Sequence, residues 1–213
     1  MIHSELENDV TLGAQFICLI ALFLKQPYPV AEICLSSNNP AQRAGEADMC
    51  AKYLFDSGRS SFCEEALCQL FKDSDRSVRY KAATCFTHLK DEKLASVNKL
   101  VETFVRSRAF EENYRLLLHA LVRSTAKLPG ITIEACSRFL EIEGKNSLDF
   151  TKEAFAVAQS AVTLAFRGYQ ENVDDIKMRD SYQNLINRML EMGVYGIERE
   201  LSRFDDGNPK ASV

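Results

Sequence analysis

The sequence predicts an all-α chain built from short helices joined by short polar turns. Apolar residues recur at helical spacing along most of the chain, as in Val78, Ala82 and Phe86, which fall on one face of a helix with about 3.6 residues per turn. No alternating apolar and polar run bounded by turn residues indicates a strand. Similar helix starts also recur at a spacing of 36 residues, which is typical of a repeated helix pair.

The first predicted helix, from about Val10 to Leu24, is apolar on nearly all sides. It is too short to cross a bilayer, which needs about twenty apolar residues, and acidic residues precede it where a signal peptide carries positive charge. A helix that is apolar all round has to be covered. We therefore expect either an upstream portion of the protein or another subunit, including a second copy of this chain, to cover it. The candidate contact residues are Phe16, Ile17, Ile20 and Phe23.

Turn signals divide the region 27–170 into further short helices. The turns read "DSDRS" at 73–77, "RSRAFEEN" at 106–113, "LPGIT" at 128–132 and "EGKNSLD" at 143–149. Apolar stripes between these turns predict helices over about 28–36, 61–71, 78–89, 94–105, 114–122, 132–142 and 150–166.

One arginine marks the start of the second helix in three successive pairs. Arg43, Arg79 and Arg115 are each 36 residues apart, and Asn39 matches Asp75 at the same offset. An arginine column along one edge could bind an acidic peptide or phosphates. Alternatively, each guanidinium pairs with a turn carboxylate, such as Asp75 or Glu111, and ties neighbouring pairs together. The planar fork of arginine suits such bidentate pairing, and we favour this structural role.

The stretch "LCQLFKDSDRSVRYKAATCFTHL", Leu67–Leu89, resembles the HEAT and armadillo-like helical-repeat families. The residues that fit the HEAT pattern are Asp73, Asp75, Val78, Arg79, Ala82 and Ala83. The neighbouring copies depart from it, with Gln42 in place of the valine and Glu111 and Glu112 in the turn. The resemblance implies a right-handed α-solenoid over 1–206, with the apolar helix at 1–26, repeats at 27–170, a capping helix pair at 171–206 and a flexible tail at 207–213.

The C-terminal region, 171–206, combines apolar stripes with dense charge on the remaining positions, which is typical of the capping end of a repeat array. Gly193 is predicted to end its first helix. The pair resembles the end of large bacterial multidomain NTPases whose C-terminal halves are helical repeats. That resemblance implies a sensor or partner-binding part of a larger protein.

The sequence offers no motif for chemistry. It has neither GxGxxG nor a phosphate loop, and its three histidines stand in no zinc-binding spacing. His88, three residues after Cys85, is better explained by core packing than by nucleophilic catalysis. The seven cysteines form no CxxC pair and are odd in number, which fits a reducing cytoplasm. We therefore predict no catalytic residue, no cofactor and no metal.

Charge gives a weak indication of partners. The net charge is −4, but 72–127 holds twelve Lys and Arg against seven Asp and Glu. This basic centre either guides a partner or is simply a solvated helix surface. HEAT-like alkylpurine DNA glycosylases are the alternative class, but the acidic net charge and the absence of tryptophan argue against nucleic acid. The sequence predicts a non-catalytic scaffold for protein–protein interaction.

Overall fold

All regular secondary structure in the described part of the chain is helical. The computed structural model describes residues 9–10, 12–13, 16, 34–54, 60–88, 96–124, 128–145 and 152–205. No strand occurs within these ranges. The all-α prediction is confirmed for them.

The chain forms two compact units, Met1–Leu116 and Leu117–Val213. Among the helices whose bounds are described, five lie in unit 1: α1 Pro40–Tyr53, α2 Ser60–Leu70, α3 Arg76–Ala83, α4 Cys85–His88 and α5 Asn98–Val105. The boundary between the units falls within α6, Arg108–Arg123. The remaining helices lie in unit 2: α7 Pro129–Lys145, α8 Lys152–Glu171, α9 Ile176–Glu191 and α10 Ile197–Asp205.

Equivalent side chains start α1 and α3. Asn39 caps α1 and accepts a hydrogen bond from the Ala41 amide at 2.9 Å. Asp75, 36 residues later, caps α3 and accepts from the Ser77 amide at 2.8 Å. Asn and Asp are favoured at this position because their side chains satisfy amides that have no partner within the helix. The two helices therefore start by the same device.

Aromatic side chains fill the core of unit 1. The buried Phe104 ring lies 4.9 Å from Phe71, 4.6 Å from Phe86 and 5.6 Å from Phe110, measured between ring centroids. Helix α1 packs against α2, α3 and α4, and α2 packs against α5. Since aromatic pairs gain energy beyond their buried area, this cluster fixes how α5 and the start of α6 lie on the preceding helices.

The boundaries of α6 and α7 differ from those predicted. The predicted break at 106–113 is confined to Arg106 and Ser107, and α6 starts at Arg108. Asn113 keeps non-helical angles inside α6 (φ −139°, ψ 19°), where its side chain donates to the Ala109 carbonyl at 3.0 Å. Helix α7 starts at Pro129, three residues before the predicted start, because proline is well tolerated where helical amides lack partners anyway.

Close packing and a glycine turn shape unit 2. Helix α8 packs against α7, α9 and α10, and the Tyr182 ring lies so near Gly168 that a Cβ atom there would overlap it. Gly193 follows α9 with φ +62°, as predicted for its helix end. The Val194 amide donates to the Met189 carbonyl at 3.0 Å, a bond typical of this type of helix end.

The described residues include only part of each chain end for which the sequence makes a prediction. Helices α9 and α10 lie within the predicted capping region, 171–206. The tail at 207–213 lies outside the described residues, as do Ile17, Ile20 and Phe23. Phe16 is described, and 58% of its surface is exposed. In the described ranges, no helix combines the length and the hydropathy needed to cross a membrane.

Candidate functional site

Arg79 connects three segments of unit 1. Its Nε and Nη2 atoms donate to the two carboxylate oxygens of Glu112, at 2.9 and 2.5 Å. Its Nη1 atom donates to the carbonyls of Asp73 and Ser74, at 2.7 and 2.8 Å. Only 1% of Arg79 is exposed. The guanidinium thus ties the start of α3 both to the turn before it and to α6.

Arg43 repeats this arrangement one helix pair earlier. Its Nε and Nη2 atoms donate to the carboxylate oxygens of Asp73, at 2.7 and 2.9 Å. Its Nη1 atom donates to the carbonyl of Ser37 at 2.6 Å. Ser37 precedes Arg43 by six residues, as Asp73 precedes Arg79. Each arginine therefore contacts its own turn and a carboxylate of the next turn or helix start.

Asp73 belongs to both connections. Its side chain accepts from Arg43 and from the Asp75 amide, the latter at 2.8 Å, while its carbonyl accepts from Arg79. We call the set Arg43, Asp73, Arg79 and Glu112 the arginine relay. It runs without interruption from the start of α1 to the start of α6.

The relay keeps its charges paired away from water. The hydrogen bond with Glu112 raises the pKa of Arg79, and the one with Asp73 raises the pKa of Arg43, in each case against the opposing effect of burial. Bidentate pairs of this kind are geometrically demanding. Removing one partner leaves a buried charge uncompensated, which is strongly destabilising. The relay therefore fixes the relative placement of the helices that it connects.

The structure assigns the partner roles to neighbours of the predicted residues. Arg43 and Arg79 pair with Asp73 and Glu112, whereas Asp75 caps α3 and Glu111 is exposed. Both partners stand close to the predicted residues in the sequence, since Asp73 lies in the same turn as Asp75 and Glu112 follows Glu111. Spacing alone does not tell which adjacent carboxylate faces the next arginine.

Arg115, the third arginine of the column, lies on the exposed side of α6. Residues that lie 30 and 33 positions beyond it, by analogy with the two pairs above, are Lys145 and Leu148. Neither is a carboxylate. Of the three arginines at 36-residue spacing, Arg43 and Arg79 therefore belong to the relay.

Unit 2 contains a serine–histidine contact that the sequence does not predict. The Nδ1 atom of His119 lies 3.0 Å from the Ser160 hydroxyl, which also donates to the Ala156 carbonyl at 3.0 Å. A hydroxyl has one proton, so a bond to Ala156 leaves Nδ1–H of His119 as the donor to Ser160. In this arrangement the imidazole does not act as a base on the serine. The two residues are 41 positions apart, and no sequence pattern links them.

Five of the six cysteines in the described ranges are core residues, and Cys18 lies outside those ranges. Cys34, Cys50, Cys63, Cys68, Cys85 and Cys136 are free thiols, and all except Cys68 are buried. Burial raises the pKa of Cys136 to about 12 and that of Cys85 well above its usual value, so these thiols are weak nucleophiles. His88 is exposed, whereas Cys85 is fully buried.

The described ranges contain no cluster of three or more His, Cys, Asp or Glu side chains arranged to hold a metal ion. The arginine relay is therefore the most organised polar feature that the structure presents. Its chemistry is that of a structural connection between helices.

Comparisons with protein-family models, with curated proteins and with solved structures give no match for this chain.

Proposed function

We propose that this chain is a non-catalytic scaffold, an α-solenoid of HEAT-like helix pairs that binds other proteins. The observation that carries the proposal is the arginine relay, in which the same connection recurs at Arg43 and Arg79 with a 36-residue spacing. A connection that repeats with the sequence period is what stacked repeats require, because each repeat buries its surface mainly against its neighbours.

In the proposed scaffold, the relay keeps the helices of the binding surface at a fixed spacing. Stacked helix pairs present an extended surface on which protein partners bind, and that surface is useful only if its helices hold a fixed spacing. Bidentate pairs impose such a spacing because they tolerate little displacement. The buried state of Arg79 and the 9% exposure of the Asp73 side chain keep solvent from competing for these bonds.

Deleting one repeat unit tests the proposed architecture. Removal of residues 42–77 joins Ala41 to Val78, and Arg79 then stands six residues after Ser37, as Arg43 does now. The shortened chain would keep an arginine with its own turn carbonyl and with Glu112 ahead of it. We expect it to unfold cooperatively, with the helical circular dichroism expected for its length.

The matched control removes residues 42–59, half of the 36-residue unit, which joins Ala41 to Ser60 and deletes most of α1 without its partner helix α2. We expect this variant to lose cooperative unfolding. If the two deletions behave alike, whether both fold or both fail, the repeat architecture is wrong.

The binding role needs a separate test. Tagged full-length chain, cross-linked in its native cells and analysed by mass spectrometry, should yield a protein partner at constant stoichiometry with cross-links to the described helices. The same preparation should release no base from duplex DNA that contains alkylated purines. Base release, or the absence of any stoichiometric protein partner, would overturn the scaffold proposal.

A further inference from the structure

We propose that exposed cations beside the arginine relay form a docking surface for an acidic segment of a partner protein. The surface consists of Lys72, Arg76, Tyr80 and Arg108, and we call it the basic edge. The inference rests on the proposed scaffold function and adds the chemistry of the partner.

The relay brings the members of the basic edge together. Arg79 donates to the Asp73 carbonyl at 2.7 Å, and Asp73 adjoins Lys72 in the turn that leads to Arg76. Arg79 also holds Glu112, whose Oε1 atom lies 3.6 Å from Nε of Arg108. The turn before α3 and the first turn of α6 therefore lie side by side, each with exposed positive charge.

Nearby carboxylates cancel only part of this charge. The cations Lys72, Arg76, Arg108, Arg43 and Arg79 outnumber the carboxylates Asp73, Asp75, Glu111 and Glu112, and two of those carboxylates are paired with the relay arginines. Asp73 is held by Arg43, Glu112 by Arg79, and Asp75 by the amides of α3. Within the described part of the chain, neither the Lys72 ammonium nor the Arg76 guanidinium forms an ion pair or a side-chain hydrogen bond. Both side chains are exposed, and the side chain of Arg108 is 69% exposed. Positive charge thus remains available on this edge.

An exposed aromatic ring adds an anchor to the charges. Tyr80 follows Arg76 by four residues and shares its face of α3. The residue is 44% exposed, although most large apolar and aromatic side chains of α3 to α6 are buried. Tyrosine and arginine are enriched in protein–protein interfaces and among the residues that dominate binding energy. A partner segment with an apolar residue between acidic ones would match this arrangement.

Charge distribution favours a protein over a nucleic acid as the occupant. The chain has a net charge of −4, and the regions outside 72–127 hold 23 acidic residues against 14 basic ones. Affinity for DNA grows with the number of phosphates neutralised, and the basic edge offers three cations. A short acidic peptide segment occupies only the basic edge.

The test measures binding of a fluorescein-labelled peptide, four glutamates on each side of a phenylalanine, to the full chain by fluorescence anisotropy at low salt. The double variant Lys72→Glu and Arg76→Glu should bind about tenfold more weakly or worse, because two attractions become repulsions. The control, Arg123→Glu with Lys177→Glu, changes the net charge equally at exposed positions on α6 and α9. It should change affinity by less than about twofold, because neither residue belongs to the basic edge.

The outcomes are decisive for the basic edge. Equal losses in the two variants, or no binding by the unaltered chain, would overturn the proposal. Tighter binding of a labelled DNA duplex, lost in the same variant, would make the edge a nucleic-acid surface instead. Recovery of a cross-linked partner by the Lys72 and Arg76 variant at the unaltered level would also reject the edge while leaving the scaffold function intact.

Discussion

Units 1 and 2 connect their helices by different chemistry. In unit 1, Arg43 and Arg79 reach carboxylates 30 and 33 residues ahead. In unit 2, Arg167 donates to the neutral carbonyls of Leu121 and Val122, at 2.8 and 2.9 Å, where a helix end carries partial negative charge. The Tyr182 ring of α9 also packs directly against Gly168 of α8. Unit 1 thus adds buried ion pairs to its aromatic core, whereas unit 2 joins these helices by hydrogen bonds to carbonyls and by close packing, with an exposed ion pair of Arg188 and Glu141 between α9 and α7.

This difference indicates what each unit tolerates. A buried ion pair adds little net stability over an apolar contact of the same size, yet the loss of one partner is costly because the other charge stays buried. Altering a close-packed glycine contact leaves no buried charge unpaired, but the contact has no room for added atoms. Unit 1 should therefore be sensitive to changes of charge, and unit 2 to changes of volume.

The largest effect is expected from breaking the relay at Glu112. Glu112→Ala leaves the buried Arg79 guanidinium without its carboxylate, and we expect the free energy of unfolding of α3 to fall by about 3 kcal/mol. Hydrogen exchange of α3 amides, read by mass spectrometry over a urea series, measures this loss. Peptides from α9 should be unaffected.

Glu111→Ala is the matched control, because Glu111 is the exposed neighbour of Glu112 in α6. We expect a change of less than about 0.5 kcal/mol, as is usual for surface substitutions. Equal losses for the two alanine variants would show that the Arg79 pair has no special weight.

A smaller effect is expected from adding volume in unit 2. Gly168→Ala places a methyl group against the Tyr182 ring, and overpacking of this kind costs about 2 kcal/mol. Gly130→Ala in α7 has open space around its Cβ position and should stabilise by about 0.5 kcal/mol through the better helix propensity of alanine. Hydrogen exchange of the α8 amides measures the effect of Gly168→Ala, and exchange of the α7 amides measures the effect of Gly130→Ala. A harmless Gly168→Ala would contradict the tight fit.

The smallest effect concerns the two equivalent helix caps. Hydrogen bonds from the Ser77 side chain and the amides of α3 lower the pKa of Asp75. A lowered folded-state pKa stabilises the fold above the unfolded-state value of about 3.9, and the contribution disappears as the pH falls through the folded-state pKa. Asp75→Ala should therefore cost about 1 kcal/mol at pH 7 and less as the pH drops below about 4.

Asn39→Ala removes the corresponding cap of α1, whose side chain does not titrate. Its cost, also about 1 kcal/mol, should be the same at both pH values. Urea unfolding of both variants at pH 7 and pH 3 makes the comparison. A pH-independent cost for Asp75→Ala would show that its charge contributes nothing to the cap.

The sequence predicts the helices well because helix formation depends on local signals. Gly193 ends a helix as predicted, whereas Asp75, predicted to pair with an arginine, caps α3 as Asn39 caps α1. Three-dimensional choices are harder. Whether Asp73 or Asp75 faces Arg43 depends on how two turns meet, and the two carboxylates look alike in a sequence. The contact between His119 and Ser160 depends on packing across 41 residues and has no periodic signature.

The relay also sets an order for chain assembly during synthesis. Arg79 emerges from the ribosome 33 residues before Glu112, which at typical elongation rates is an interval of about 2–7 s. Until Glu112 has been synthesised, the Arg79 guanidinium stays charged in water and cannot form its buried pair. The helix pair that contains Arg79 therefore reaches its final packing only after the next pair has been synthesised. Because these separations are short on the scale of a domain, closing the loops costs little entropy. Unit 1 is thus suited to fold progressively from its N-terminal side, one connection at a time.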